Sequence, residues 1–181
     1  KRIQKRKDLL LKDGDILITI IGRVVPIKNH KLFVDVIKYC KKRTKKTIKA
    51  LVIGDCSEML NLINYTSHQG LKFSYKDFKS DFDIFFCSWK KDIDNYLAAS
   101  DIVALTSINE GTPVSIIEAM ASGTPSISTD VGGVSDIIEN GVSGVVSKTN
   151  IKDFGNDLLI LIENENIRIK LAKKGIKRSL E

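Results

Sequence analysis

Short apolar runs alternate with segments of helical periodicity along the whole chain. Residues 15–22 (DILITIIG) form an Ile-rich run that predicts a buried strand, and residues 47–54 (TIKALVIG) predict a second. Further strands are expected at residues 82–87, 101–105, 125–128 and 143–146. Between them lie helical patterns. Leu32, Val36, Ile37 and Cys40 share one face over residues 29–42, and Met59, Leu60 and Ile63 turn inward over residues 57–66, with Ser57 as the expected N-cap. Helices are also predicted at residues 93–99, from Pro113, at 150–163 and at 167–180. The polar stretch at residues 69–80 reads as an irregular loop or insertion. Strands that are apolar throughout, alternating with helices, predict a Rossmann-like α/β domain: a parallel sheet of about six strands with helices on both faces. Such sheets bind ligands beyond the carboxyl ends of their strands.

The segment from Asn109 to Pro125 carries the most chemical information. Glu110 and Glu118 are separated by seven residues, with a helix start between them. Thr112 suits an N-cap and Pro113 the first helical position. The amides of Gly111, Thr112 and the first turn then point outward at the positive end of a helix, which makes an anion site. A carboxylate on either side of a phosphate cradle is repelled by the phosphate. Carboxylates accept hydrogen bonds, so these two suit hydroxyl groups. A phosphate flanked by hydroxyls describes a nucleotide sugar.

Other candidates fall just after predicted strands. Arg23 and Lys28 follow the first, where Gly22 permits a tight turn; Arg offers a planar fork and Lys a mobile point charge for phosphate oxygens. Gly54 and Asp55 end the second strand. Cys87, Ser88 and Trp89 end the third, where a base could lie against backbone groups while Trp89 either lends a face or packs in the core. Glu118 stands among apolar neighbours, a costly place for a carboxylate unless it is hydrogen-bonded. Gly132 and Gly133 allow another group to approach closely, and Ser135 is expected to cap a short helix. His30 reads as an N-terminal helix residue rather than a general base. Each feature also has a plainer reading as a surface cation, turn or helix end. It is their common position at strand ends that argues for a site.

Bulk properties narrow the classes. At 181 residues the chain is read as one domain. Its net charge is +7, with much of the excess in Lys1, Arg2, Lys5, Arg6 and Lys7 and in Lys173, Lys174, Lys177 and Arg178. These ends read as solvated helix faces, with weak attraction to an anionic lipid or glycan as the alternative. Nucleic acid is disfavoured because the cations are not interleaved with stacking aromatics. Cys40, Cys56 and Cys87 form no CxxC pair and no Cys/His cluster, so no metal is expected, and reduced cysteines suggest a cytoplasmic protein. No apolar run approaches the roughly 20 residues that span a bilayer. Neither GxxxxGK[ST] nor GxGxxG occurs, which removes P-loop and dinucleotide readings. The missing initiator Met reads as a piece of something longer.

Taken together, the residues resemble the C-terminal, donor-binding half of a group-1 (family 4) retaining glycosyltransferase of the GT-B fold. Four segments carry the resemblance in order: Gly22-Arg23-(x4)-Lys28; Gly54-Asp55; Glu110-(x7)-Glu118 followed by Ala-Met-Ala-Ser-Gly-Thr-Pro; and Asp130-Val131-Gly132-Gly133-Val134. The resemblance implies that Arg23 and Lys28 hold a diphosphate, that Glu110 accepts from donor-sugar hydroxyls, that Gly111 and Thr112 give amides to phosphate, and that Glu118 holds the ribose. Gly54 and Ser88 would lie near the nucleotide. Glu110, Arg23 and Lys28 are the catalytic candidates, and no protein nucleophile is implied. The family carries Gly where Cys56 and Ser88 stand, close to the expected base site; a UDP-sugar is the first expectation and a GDP-sugar the second. No metal or other cofactor is implied. The acceptor, a saccharide or a lipid-linked one, would be bound by an N-terminal domain missing here. The fragment alone is therefore expected to transfer sugar poorly, and peripheral contact with the inner face of a membrane is left to the full-length protein. Two rivals stand beside this reading: an isomerase like UDP-N-acetylglucosamine 2-epimerase, and a non-catalytic nucleotide-sugar-binding module.

Overall fold

The computed structural model describes residues 1–55, 57–75 and 81–181. Its centre is one parallel sheet. In chain order the strands are β1 (Ile16–Ile21), β2 (Ile48–Ile53), β3 (Phe73–Tyr75), β4 (Ile84–Cys87), β5 (Ile102–Leu105), β6 (Ser126–Thr129) and β7 (Val145–Ser147). Their spatial order is β3-β4-β2-β1-β5-β6-β7, and every pairing is parallel. The helices are α1 (Arg2–Asp8), α2 (His30–Lys41), α3 (Met59–His68), α4 (Ile93–Ala99), α5 (Val114–Ala121), α6 (Val134–Ile137), α7 (Ile151–Glu163) and α8 (Glu165–Arg178).

The apolar strands have a simple cause. Successive side chains of a strand point to opposite faces, so a strand covered on both faces has no polar side to show. Ile16, Ile18 and Ile20 enter one core with Phe33 and Val36 of α2, Leu62 of α3 and Phe154 of α7. Leu17 and Ile21 enter the opposite core with Leu97 of α4 and Ile116 and Met120 of α5.

Chain direction fixes where a ligand can go. From β1 the chain moves outward through β2 to the edge strand β3, comes back to β4 between them, and then places β5 on the other side of β1. The connections leaving β1 and β5 run to opposite sides of the sheet, the switch point at which sheets of this kind take a ligand beyond their carboxyl edge.

The sequence expectations differ from this fold at definite places. The sheet has seven strands rather than about six, because β3 lies inside the stretch read as an irregular loop; it is a three-residue edge strand with only Ser74 buried, too short to show a pattern. Residues 76–80 of that stretch lie outside the described residues. The basic N-terminal segment forms the helix α1, and Lys1, Arg2, Lys5 and Arg6 are engaged rather than simply solvated. Arg2 and Arg6 reach the carboxylate of Asp101 at 2.5 and 2.9 Å, and both also donate to carbonyls at the C-terminal end of α4. Lys1 and Lys5 pair with Asp94 and Asp92. Three expected caps also shift. Ser57 is not the cap of α3, which starts at Met59 behind Glu58; Ser135 lies within α6 rather than before it; and α5 starts at Val114, with Pro113 rather than Thr112 at the cap position. For α5 the cause is local: the Val114 amide folds back onto the Thr112 carbonyl at 2.9 Å, which delays the first helical residue.

Candidate functional site

Two loops build the crevice. After β1, Gly22 and Arg23 lead into a 3-10 turn at Pro26–Lys28, and Asn29 closes it in the left-handed region at φ 49° before α2 begins. Asn tolerates that conformation better than most residues, which lets the chain turn from loop into helix within one residue. After β5, Thr106 and Ser107 continue the strand direction and Glu110 follows. The Ile108 amide donates to the Ile27 carbonyl at 2.9 Å and pins the second loop to the first.

Lys28 and Glu110 meet across this gap. The ammonium lies 2.6 Å from Oε1 of a carboxylate whose side chain is only 6% exposed. Ser107 Oγ donates to the same oxygen at 2.5 Å. Next to the carboxylate, Gly111 and Thr112 are exposed, and their amides donate to no acceptor among the described residues. These two amides thus have no acceptor among the described residues, and the cap is not where it was expected. Arg23, in the loop that follows β1, is exposed. A lysine ammonium, two backbone amides without an acceptor just before a helix and a buried carboxylate are groups that can hold an anion and accept a hydroxyl hydrogen beside it.

A third loop buttresses the second. A β-carbon on Gly132 would stand 1.9 Å from the Glu110 carbonyl oxygen, and one on Gly133 2.2 Å from that of Gly111. The Gly133 amide donates to the Glu110 carbonyl at 3.0 Å. Gly54 plays a similar part at the end of β2, where a β-carbon would meet the Gly22 carbonyl at 2.0 Å. Its amide donates to the Cys87 carbonyl at 3.1 Å, joining the ends of β2 and β4.

The remaining candidates are distributed along this edge. Ser88 donates to Asp55 at 2.7 Å just beyond β4 and β2. Trp89 is 62% exposed, so it does not pack in the core. Cys56 lies outside the described residues. Glu118 departs from its expected apolar surroundings. Ile116, Ala119 and Met120 take the inward face of α5, which leaves Glu118 exposed one turn after the exposed Val114. Neither histidine offers acid–base chemistry to the crevice. His30 opens α2, 3% exposed, with neither ring nitrogen hydrogen-bonded among the described residues. Burial first, and the Lys28 charge second, push its imidazole down to about 4. His68 closes α3 and contacts the Asn64 carbonyl at 2.8 Å.

Sequence reasoning missed Thr106, Ser107 and Thr129. Thr106 Oγ1 donates to the carbonyls of Lys28 and Asn29 at 3.2 and 3.1 Å, and Thr129 Oγ1 to the Ser107 carbonyl at 2.6 Å. A signal for the first two was present: they are the first polar residues after the apolar run IVAL, at the carboxyl end of a parallel strand. Among the described residues no three His, Cys, Asp or Glu side chains group as metal ligands, and no helix is long and apolar enough to cross a membrane.

Comparison with known proteins bears on the family and the fold. Residues 1–178 match the family model described as Glycosyl transferases group 1. The chain is 30% identical over 166 residues to the UDP-Gal:alpha-D-GlcNAc-diphosphoundecaprenol alpha-1,3-galactosyltransferase of Escherichia coli, a match covering 91% of this chain and 41% of that protein. The chain spans less than half the length of the curated relatives it matches. Among solved structures, the C-terminal domain of the group 1 family protein LpcC from Francisella tularensis superposes with a TM-score of 0.82 at 24% identity, covering 99% of this chain and 91% of that one. Anabaena HepE in complex with UDP and glucose superposes with a TM-score of 0.82 at 21% identity, covering 98% and 46%. At these identities the solved structures speak for the fold.

Proposed function

The chain belongs to the group 1 glycosyl transferases, and from that membership we propose that it binds a nucleotide-diphosphate sugar and presents it for transfer of the glycosyl group with retention. The observation that carries the reading is the Lys28–Glu110 pair, joined across the switch-point crevice beside the outward amides of Gly111 and Thr112. Arg23 and Lys28 hold the diphosphate, and Gly111 and Thr112 add backbone donors. As the sugar–phosphate bond breaks, negative charge grows on the leaving diphosphate, and fixed cations already facing it lower the barrier. Glu110 accepts from a hydroxyl of the donor sugar and holds the anomeric carbon in place. Glu118 takes the ribose hydroxyls, while Gly54 and Ser88 lie toward the base. The cations supply the charge neutralisation, so the reading asks for no metal.

A UDP-sugar is the favoured donor and a GDP-sugar the second choice. The Escherichia coli relative, whose name includes UDP-Gal, supports the first. The acceptor is a saccharide or a lipid-linked saccharide bound by a further part of the protein, and the relative's name, with its diphosphoundecaprenol-linked acceptor, supports the lipid-linked form. The work takes place in the cytoplasm, with peripheral membrane contact where the acceptor is lipid-linked. An epimerase would need acid–base groups at the site, but His30 is buried with its imidazole pushed down to about 4, and His68 closes α3 against the Asn64 carbonyl.

Calorimetric titration with UDP, GDP and ADP in EDTA tests the proposal. One nucleotide should bind, and Arg23→Ala/Lys28→Ala should abolish that binding. Equal binding by wild type and double variant would refute the assignment of the diphosphate site.

A further inference from the structure

Lys28 and Glu110 come from loops that follow different strands, yet both are tied to two adjacent residues. Thr106 Oγ1 donates to the Lys28 and Asn29 carbonyls at 3.2 and 3.1 Å. Ser107 Oγ donates to Glu110 Oε1 at 2.5 Å. Lys28 closes the circuit by donating to the same Oε1 at 2.6 Å. Thr106 and Ser107 are both fully buried, and the Ser107 carbonyl is itself held by Thr129 Oγ1 at 2.6 Å. None of these three hydroxyls faces solvent, so none is placed to touch a ligand.

We infer that Thr106 and Ser107 are positioning residues: Thr106 places the Lys28 ammonium through its backbone, and Ser107 orients the Glu110 carboxylate. The inference rests on the functional reading above. It also assigns the two carboxylate oxygens different tasks. Oε1 already accepts from Ser107 and Lys28, whereas Oε2 accepts from no donor among the described residues and is the one turned to a sugar hydroxyl.

The arrangement makes the two residues separable. Glu110 reads the sugar and Lys28 the diphosphate, so the hydroxyls behind them should act on different parts of one ligand. Ser107→Ala should lower affinity for UDP-glucose relative to UDP by about tenfold, the amount expected for one buried hydrogen bond to a charged group. Thr106→Val keeps the volume, removes the donor, and should weaken UDP and UDP-glucose alike. Thr106→Ser restores the hydroxyl in a smaller side chain and should recover most of that loss, which a mere packing defect would not. GDP and GDP-mannose are run in parallel in case the base is guanine.

A readout without ligand accompanies these titrations. In thermal melts of Ser107→Ala, Glu110→Gln and the double variant, two residues acting as a unit make the double variant lose little more than the worse single one. The proposal is overturned if Ser107→Ala leaves the ratio of UDP-glucose to UDP affinity unchanged, or if Thr106→Ser binds no better than Thr106→Val. Should wild type bind none of the four nucleotides, the functional reading falls. The melts then decide the positioning role alone, with additive losses overturning it.

Discussion

A side chain at Gly132 and the backbone of Glu110 cannot share their present positions, because the β-carbon would stand 1.9 Å from the Glu110 carbonyl oxygen. Gly132 also adopts φ +51°, which costs other residues about 1–2 kcal/mol. The turn of two glycines is thus the mould against which the carboxylate loop is set. Gly132→Ala should push Glu110 and Gly111 out of place. Displacements of about 1 Å at a reacting centre cost on the order of a hundredfold in rate, and a loss of nucleotide-sugar affinity is expected by calorimetry. Gly141→Ala is the control: its φ is +75° with nothing within 4 Å of the added carbon, so it should cost about 1 kcal/mol of stability and leave binding intact. Normal binding by Gly132→Ala would show that the carboxylate loop does not depend on this contact.

The centre of the sheet was legible because strands buried on both faces read as apolar runs, as in residues 102–105. The candidate charges stood out because Arg23, Lys28 and Glu110 lie in the loops that follow such runs. Edge strand β3 was not, since three residues carry no period. Helix α1 was not, because it has no buried residue and its cations make tertiary contacts that no local pattern announces. Glu118 was misjudged from its sequence neighbours: adjacent residues in a helix point some 100° apart, so apolar neighbours in sequence need not be neighbours in space. The roles of Thr106 and Ser107 depend on which loop lies opposite β5, and the topology alone supplies that.

Asp101 ties the N-terminal helix to the sheet. Its carboxylate receives Arg2 at 2.5 Å, Arg6 at 2.9 Å and the Leu17 amide at 2.8 Å, with 11% of the side chain exposed. Removing one partner of a buried pair costs about 3–5 kcal/mol. Arg2 is 46% exposed, so screening lowers the share from that contact. Asp101→Ala should therefore destabilise by roughly 3 kcal/mol in urea unfolding, and more than Arg2→Ala. Equal effects of the two substitutions would mean that the Leu17 amide and Arg6 contribute nothing.

Glu118 should separate binding from stability. It is exposed, and surface substitutions away from special features stay within about 0.5 kcal/mol. Glu118→Gln should then leave the melting temperature nearly unchanged. If it holds ribose hydroxyls, wild-type affinity should fall when UDP is replaced by its 2′-deoxy analogue, and Glu118→Gln should erase most of that difference. Equal discrimination by both proteins would remove Glu118 from the ribose site.

His30 predicts how stability responds to acid. Burial and Lys28 lower its imidazole from 6.5 to about 4 in the folded chain. The unfolded chain therefore binds a proton between those values while the native one does not, and stability falls as pH drops through that window. The slope is about 1.4 kcal/mol per pH unit, and the loss reaches on the order of 3 kcal/mol near pH 4. Neither ring nitrogen has a hydrogen-bond partner among the described residues, so replacing the ring by an apolar side chain sacrifices no such bond. His30→Leu should be near neutral at pH 7 and should flatten the profile between pH 6.5 and 4. Urea unfolding of both proteins at half-unit steps measures the slope, and an unchanged slope in His30→Leu would assign the acid sensitivity to the carboxylates instead.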